Sequence, residues 1–398
     1  MEALSILTSI ALVLLAGIIT TIISRKLRIS NVLLLIVLGV MLKAINHYGE
    51  PIFEFSPVFL ISISVLALVM ITFDGASRFK IKEVDKFFGK ASKIVLWFIV
   101  ANILLLTTFT VVMFYHDFNM SSITFALIFA ITMAGTDPAA VFYMMKNKLT
   151  KAIEVLEIEA IINTPIVVLV PFILIDFLTT SKEGFVDSFL NQIMPIIGQI
   201  VIGIGSGVVI GIIIFKVMRK VYHHELSPLG IITAALISYI LAENLGGNGV
   251  LSVATMGLLF GNMYVKRKVV LQEFSEVLSN GLEILVFVLI GFLVDTNITW
   301  EFFGKSFALF IIMIIARWFA VTTALHSSDF KLKEKIFMTL NMPKGIAVAA
   351  VVFSLSIMNI TGLNIIIDLV IAFMIYSLLT SSIVNFYSKK FIKIDLNQ

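Results

Sequence analysis

The chain has no cysteine in 398 residues. That excludes a disulfide framework, a thiol nucleophile and a cysteine-ligated zinc, and leaves oxygen or imidazole for any metal chemistry. Charge is scarce too: 14% of residues are Asp, Glu, Lys or Arg, against about 25% in ordinary soluble proteins. The net charge of +4 is too small to indicate a nucleic-acid partner. There is no Gly-rich phosphate loop of the P-loop type, so nothing supports an ATP-driven pump.

What replaces charge is apolar surface. Hydrophobic residues make up 59% of the chain and the mean hydropathy is +1.07, the composition of an integral membrane protein. Hydropathy predicts thirteen apolar spans near 4–24, 30–45, 57–77, 94–115, 122–145, 155–178, 190–215, 228–243, 248–264, 280–295, 306–325, 337–358 and 363–386. The second and ninth are short. The chain is expected to be all-α, with no soluble domain and with its first span kept in the mature protein.

Assigning alternate connections to opposite sides places 24 Lys and Arg residues on one side and only Lys43, Lys182 and Lys305 on the other. Basic loops stay cytoplasmic, so the N-terminus is expected outside and the C-terminus inside a plasma membrane. Two cations, Arg317 and Lys344, fall inside spans. Ionisable groups at membrane depth cost at least about 2.5–3.5 kcal/mol and mark ion pathways or paired charges. The acidic candidates are Asp137, Glu157 and Glu159, with Asp176, Glu283 and Asp368 nearer span ends. All five histidines (His47, His116, His223, His224, His326) lie in loops or at span ends. No serine–histidine pair is therefore available at depth, and Asp137 with Asp368 is the only aspartate pair an intramembrane protease could use. The chain is expected not to be an enzyme.

Span five contains Gly135-Thr136-Asp137-Pro138 near its middle. Proline removes a helix hydrogen bond and clashes one turn back, and freed backbone groups are tolerated in a membrane only where protein or a cavity satisfies them. Freed carbonyls, the Thr136 hydroxyl and the Asp137 carboxylate make an oxygen-rich site for a small hard cation. The alternative is a proline kink with Asp137 paired to Lys344 or Arg317. Span twelve carries Asn341-Met342-Pro343-Lys344-Gly345 in the corresponding place of the second half, and such paired interruptions point to inverted repeats with a transport site between them. Spans one to six and eight to thirteen would be the repeats. Lys344 either neutralises helix ends or pairs with an acid as a tethered cation, or it snorkels to an interface. In span six, Glu159 and Asn163 share a helix face. Glu159 with Arg317 would make a buried ion pair, scaffold more than carrier, beside an Asn163-Thr164 step.

The Thr136-Asp137-Pro138 motif, the Glu159 to Asn163 helix, the stretch from Asn248 to Asn262, Arg317 and the Met342-Pro343-Lys344-Gly345 segment resemble the monovalent cation:proton antiporters of the sodium/proton exchanger type. The likeness runs over essentially the whole chain. It implies a homodimer, elevator-like alternating access, and a core of two bundles (about 92–180 and 303–388) beside dimerisation helices (about 1–91 and 188–300). It implies no cofactor beyond the transported ions: Na⁺, Li⁺ or K⁺ exchanged for H⁺ across the lipid bilayer. Asp137 is the expected metal-ion and proton ligand, with Thr136, Asn163 and Thr164 as neutral oxygens. One departure stands out. The family's electroneutral members carry Asn-Asp on the sixth helix, whereas this chain has Asn163-Thr164, and a threonine hydroxyl does not titrate near neutral pH. Asp137 must then carry the proton, with Glu159 the weaker substitute. Otherwise the fold serves as an uncoupled carrier or a transport-dead sensor.

Overall fold

The computed structural model describes residues 2–27, 30–47, 50–51, 55–78, 87–137, 150–180, 185–220, 222–294, 299–326, 330–356, 358, 360 and 362–391. In chain order the helices are α1 (Glu2–Leu27), α2 (Asn31–Lys43), α3 (Pro57–Ser77), α4 (Phe88–Thr110), α5 (Met120–Thr132), α6 (Lys151–Thr180), α7 (Phe185–Lys220), α8 (Leu226–Asn244), α9 (Gly249–Asn262), α10 (Lys268–Leu293), α11 (Trp300–Ala324), α12 (Leu332–Leu340), α13 (Ile346–Ser356), α14 (Leu363–Phe386) and α15 (Ser388–Phe391). A π turn, Val111–Tyr115, extends α4, and a two-residue ladder pairs Asn46–His47 with Glu50–Pro51. Among the described residues, nine helices are long and apolar enough to cross a membrane, and α2, α5, α9 and α13 are shorter apolar helices. Each of the thirteen apolar segments of the sequence holds one of these.

Several helices overrun their apolar windows. α10 starts at Lys268, with Gln272, Glu273 and Glu276 in its first turns. Hydropathy falls where charges begin, but the backbone ladder continues through them. Polar caps close other ends: the Asn119 side chain accepts from Ser122 N–H ahead of α5, Asn248 from Leu251 N–H ahead of α9, and Thr299 from Phe302 N–H ahead of α11. Each satisfies one of the orphan amides of a helix start.

The chain divides into two compact units. The first comprises Met1–Ile61, Phe87–Pro171 and Ile284–Gln398. Within it α4 packs along α11 and also against α5. Phe373 of α14 meets Phe129 of α5 with ring centroids 4.9 Å apart and Phe310 of α11 at 5.5 Å. A Cβ on Gly39 would run into the α10 backbone at Val288 and Gly291, and one on Gly291 into Ile36 and Gly39. Paired small residues thus bring α2 and the end of α10 to backbone contact.

The second unit comprises Ser62–Lys86 and Phe172–Glu283. Gly203, Gly207 and Gly211 of α7 lie against Asn248, Ser252 and Leu259 respectively, while nothing lies near Gly205. The close approach of α7 is therefore carried by the three glycines at intervals of four. Ser238 and Ser252 hydrogen-bond across α8 and α9 at 2.7 Å. Asp74 pairs with Arg78, whose guanidinium also reaches Glu276. On α7, Val201, Val209, Ile213 and Val217 are more than half exposed, as apolar side chains facing lipid would be.

Candidate functional site

α5 stops at Thr132, and its carbonyls find partners one by one. Ala134 N–H turns back to Ile131 O and Gly135 N–H to Thr132 O. Ala130 O is thereby released, and it accepts from the amide of Asn102, a buried residue of α4. Ala134 O accepts from Asn163 Nδ2 at 3.2 Å. Met133 O and Gly135 O both accept from the Lys344 ammonium, at 2.6 and 2.8 Å. A helix end in apolar surroundings leaves carbonyls that must be satisfied. Here two side-chain amides and one ammonium do it. Pro138 and residues 139–149, which hold the rest of the fifth span, lie outside the described residues.

Lys344 belongs to the second interruption. α12 ends at Leu340, Asn341 to Gly345 are non-helical, and α13 resumes at Ile346. The Lys344 side chain has 0% exposure, so it does not snorkel to an interface. It places a positive charge at the C-terminal end of α5, where the helix dipole favours a cation. Its main-chain N–H donates to Ser377 Oγ of α14 at 3.2 Å. The breaks also meet through backbone: Asp137 N–H donates to Pro343 O at 2.8 Å. A Cβ at position 345 would collide with the Asp137 carboxylate, so glycine is the residue that lets the carboxylate lie against the second break.

Asn163 of α6 turns its amide into the same place. Its Nδ2 donates to Ala134 O and to Thr136 Oγ1, the latter at 2.8 Å. Asn163 is 1% exposed, and its Oδ1 has no partner among the described residues. Asn163 thus meets Thr136 directly, one residue before Asp137. Thr164, by contrast, turns its hydroxyl back to Ala160 O at 2.6 Å, a bond within its own helix.

Deeper in the unit, Arg317 of α11 grips Glu159 of α6 with two parallel bonds of 2.5 and 2.6 Å, and both residues have 0% exposure. The Phe98 ring of α4 lies under the guanidinium at 4.7 Å and under the Lys344 ammonium at 5.6 Å. Counting the half-buried Asp137 with the buried Glu159, Arg317 and Lys344 as ionised, the four charges sum to zero. Of the other acidic candidates, Glu157 and Glu283 are half-buried, and the Asp176 side chain lies outside the described residues. Asp368 lines an apolar cavity of about 200 Å³ with Phe302, Phe303 and Tyr376. Phe98, Asn102 and Ser377 carry no motif. The only signal for Asn102 is an amide within an apolar run.

The family model described as sodium/hydrogen exchanger, transmembrane, matches residues 10–389. The chain belongs to the sodium/hydrogen exchanger family. It is accordingly a multi-pass membrane protein. Na(+)/H(+) antiporter 1 of Methanocaldococcus jannaschii is 24% identical over 391 residues, covering 90% of this chain and 84% of that protein. Antiporter ApNhaP of Aphanothece halophytica is 29% identical over 185 residues, or 44% of this chain. The K(+)/H(+) antiporter NhaP2 of a Shewanella species is 25% identical over 322 residues. The match spans about a third of the length of the Aphanothece relative (34%) and of its Synechocystis counterpart (32%). The solved structure of the sodium proton antiporter MjNhaP1 superposes with a TM-score of 0.81 over 98% of both chains at 19% identity, so this chain shares its fold.

Proposed function

We propose that the protein is a secondary antiporter that exchanges a monovalent cation, Na⁺, Li⁺ or K⁺, for a proton by alternating access. Proton and cation compete for Asp137, with Thr136 and Asn163 supplying neutral oxygens. The observation that carries this is the seat of Asp137. Its carboxylate lies against Gly345, its backbone is tied to Pro343, and the buried, unpartnered Asn163 Oδ1 sits one hydrogen bond from Thr136. Hard monovalent cations prefer such oxygen donors. The printed names of the relatives, Na(+)/H(+) and K(+)/H(+) antiporters, support the same assignment.

Lys344 answers the carbonyls of Met133 and Gly135, and Arg317 answers Glu159. In this reading Asp137 takes one cation or one proton in turn, which makes exchange electroneutral, and Thr164 modulates the site without titrating. The bundles at about 92–180 and 303–388, which hold every residue of the site, are the moving core of a homodimer. The helices at about 1–91 and 188–300 are its scaffold, in a plasma membrane with the N-terminus outside.

The test is cation-driven proton movement in sealed proteoliposomes with a trapped pH dye. External Na⁺, Li⁺ or K⁺ should alkalinise the lumen. Folded protein that gives no signal with any of the three would fit the uncoupled carrier or sensor instead.

A further inference from the structure

α14 carries Ser377, Ser381 and Asn385 at intervals of four residues, and Ser388 follows in α15. Residues so spaced share one helix face. All four are buried, at 0, 3, 7 and 7% exposure. This face runs along the second chain break. At one end Ser377 Oγ accepts from Lys344 N–H at 3.2 Å, and two turns further Asn385 Oδ1 accepts from Asn341 Nδ2 at 2.9 Å. Between these contacts Ser381 Oγ has no partner among the described residues, and neither has Asn341 Oδ1, although Asn341 is only 1% exposed.

A seam that served only to glue helices would close its polar atoms on one another, as Ser238 and Ser252 do at 2.7 Å in the second unit. This one leaves two deeply buried atoms open. Each such atom costs about 1–3 kcal/mol if nothing binds it, and proteins ordinarily meet that cost with ordered water where several polar groups converge. A hydroxyl accepts and donates at one oxygen, so serines and waters can pass a proton along without a lasting charge, while the Asn341 and Asn385 amides can hold such waters by hydrogen bonds.

We propose that this seam binds a file of ordered waters leading from the Lys344 break to the C-terminal end of α14, and that the file is the route by which protons reach Asp137. At 1.5 Å per residue the seam from Ser377 to Ser388 is about 16 Å long. The proton-route half of the proposal rests on the antiport reading; the water file does not.

The absence of native cysteine makes single-thiol labelling a clean test. Ser381→Cys and Leu379→Cys lie at nearly the same depth on opposite faces of α14. Leu379 is 44% exposed on the outer side of the helix. With a small, water-soluble cationic methanethiosulfonate reagent on reconstituted protein, Ser381→Cys should be modified at least tenfold faster than Leu379→Cys. Equal or slower modification in monodisperse protein overturns the water file, and Ser377→Cys makes the same comparison if Ser381→Cys does not fold. The labelling needs no transport, so it stands or falls apart from the antiport reading. Where exchange is present, Ser381→Val should slow cation-driven proton flux at least tenfold with cation affinity unchanged. Unchanged flux would overturn the proton route.

Discussion

The N–H of Asp137 donates to the carbonyl of Pro343 at 2.8 Å, so the two interrupted segments are joined backbone to backbone at the point where the carboxylate projects. That bond fixes where the acid sits and makes its neighbour Gly345 a matter of space.

Gly345→Ala is expected to abolish or greatly slow exchange, because its methyl would displace the Asp137 carboxylate. Overpacking of this kind costs about 1–3 kcal/mol, which a folded protein can survive. Gly304→Ala, with nothing within 4 Å of its added Cβ, is the control and should keep full activity. Proteoliposome flux and thermal unfolding in detergent, measured on both variants, check the pair.

Breaking the buried Arg317–Glu159 pair from either side should be severe. Arg317→Met or Glu159→Gln alone leaves one charge without its partner, at about 3–5 kcal/mol. The double variant Glu159→Gln/Arg317→Met should recover much of that loss. Unfolding midpoints of the three variants give the answer. If the double variant were no better than the singles, the cost would lie in packing against Phe98.

Lys344→Met removes the partner of Met133 O and Gly135 O together. Two stranded carbonyls at about 1–3 kcal/mol each should lower stability markedly, and Lys344→Arg should restore part of it. Thermal unfolding of the two variants in one detergent decides this.

Thr164→Ala should weaken exchange only modestly, raising the cation concentration for half-maximal rate a few-fold with the maximal rate kept. The Thr164 hydroxyl is turned to Ala160 O, so its loss leaves the Asp137, Thr136 and Asn163 oxygens in place. Cation titrations of the flux measure the shift.

The thirteen apolar segments were legible in the sequence because lipid demands about 20 apolar residues per crossing and nothing else produces that pattern. The interruptions were legible too, since Pro343 and Gly345 end a helix by covalent geometry. The sequence left Lys344 a helix end, an acid or an interface, and the structure takes the first: main-chain carbonyls of Met133 and Gly135 accept from the ammonium. Which helix end it would be was not legible, because carbonyls look alike at every position of a sequence. Phe98 was hidden for a related reason: a phenylalanine in an apolar helix carries no mark that two cations lie over it. Helix ends were misjudged wherever a polar turn continued an apolar one, as at Lys268.

The most direct measurement is proton release on cation binding. Purified protein in weakly buffered detergent solution near neutral pH is titrated with Na⁺, Li⁺ or K⁺ while a pH indicator is read. Competition at Asp137 predicts proton release that saturates with the cation and approaches one proton per cation bound where the site starts protonated, and it predicts no release from folded Asp137→Asn. Release that persists undiminished in Asp137→Asn would contradict the assignment of Asp137 as the shared site.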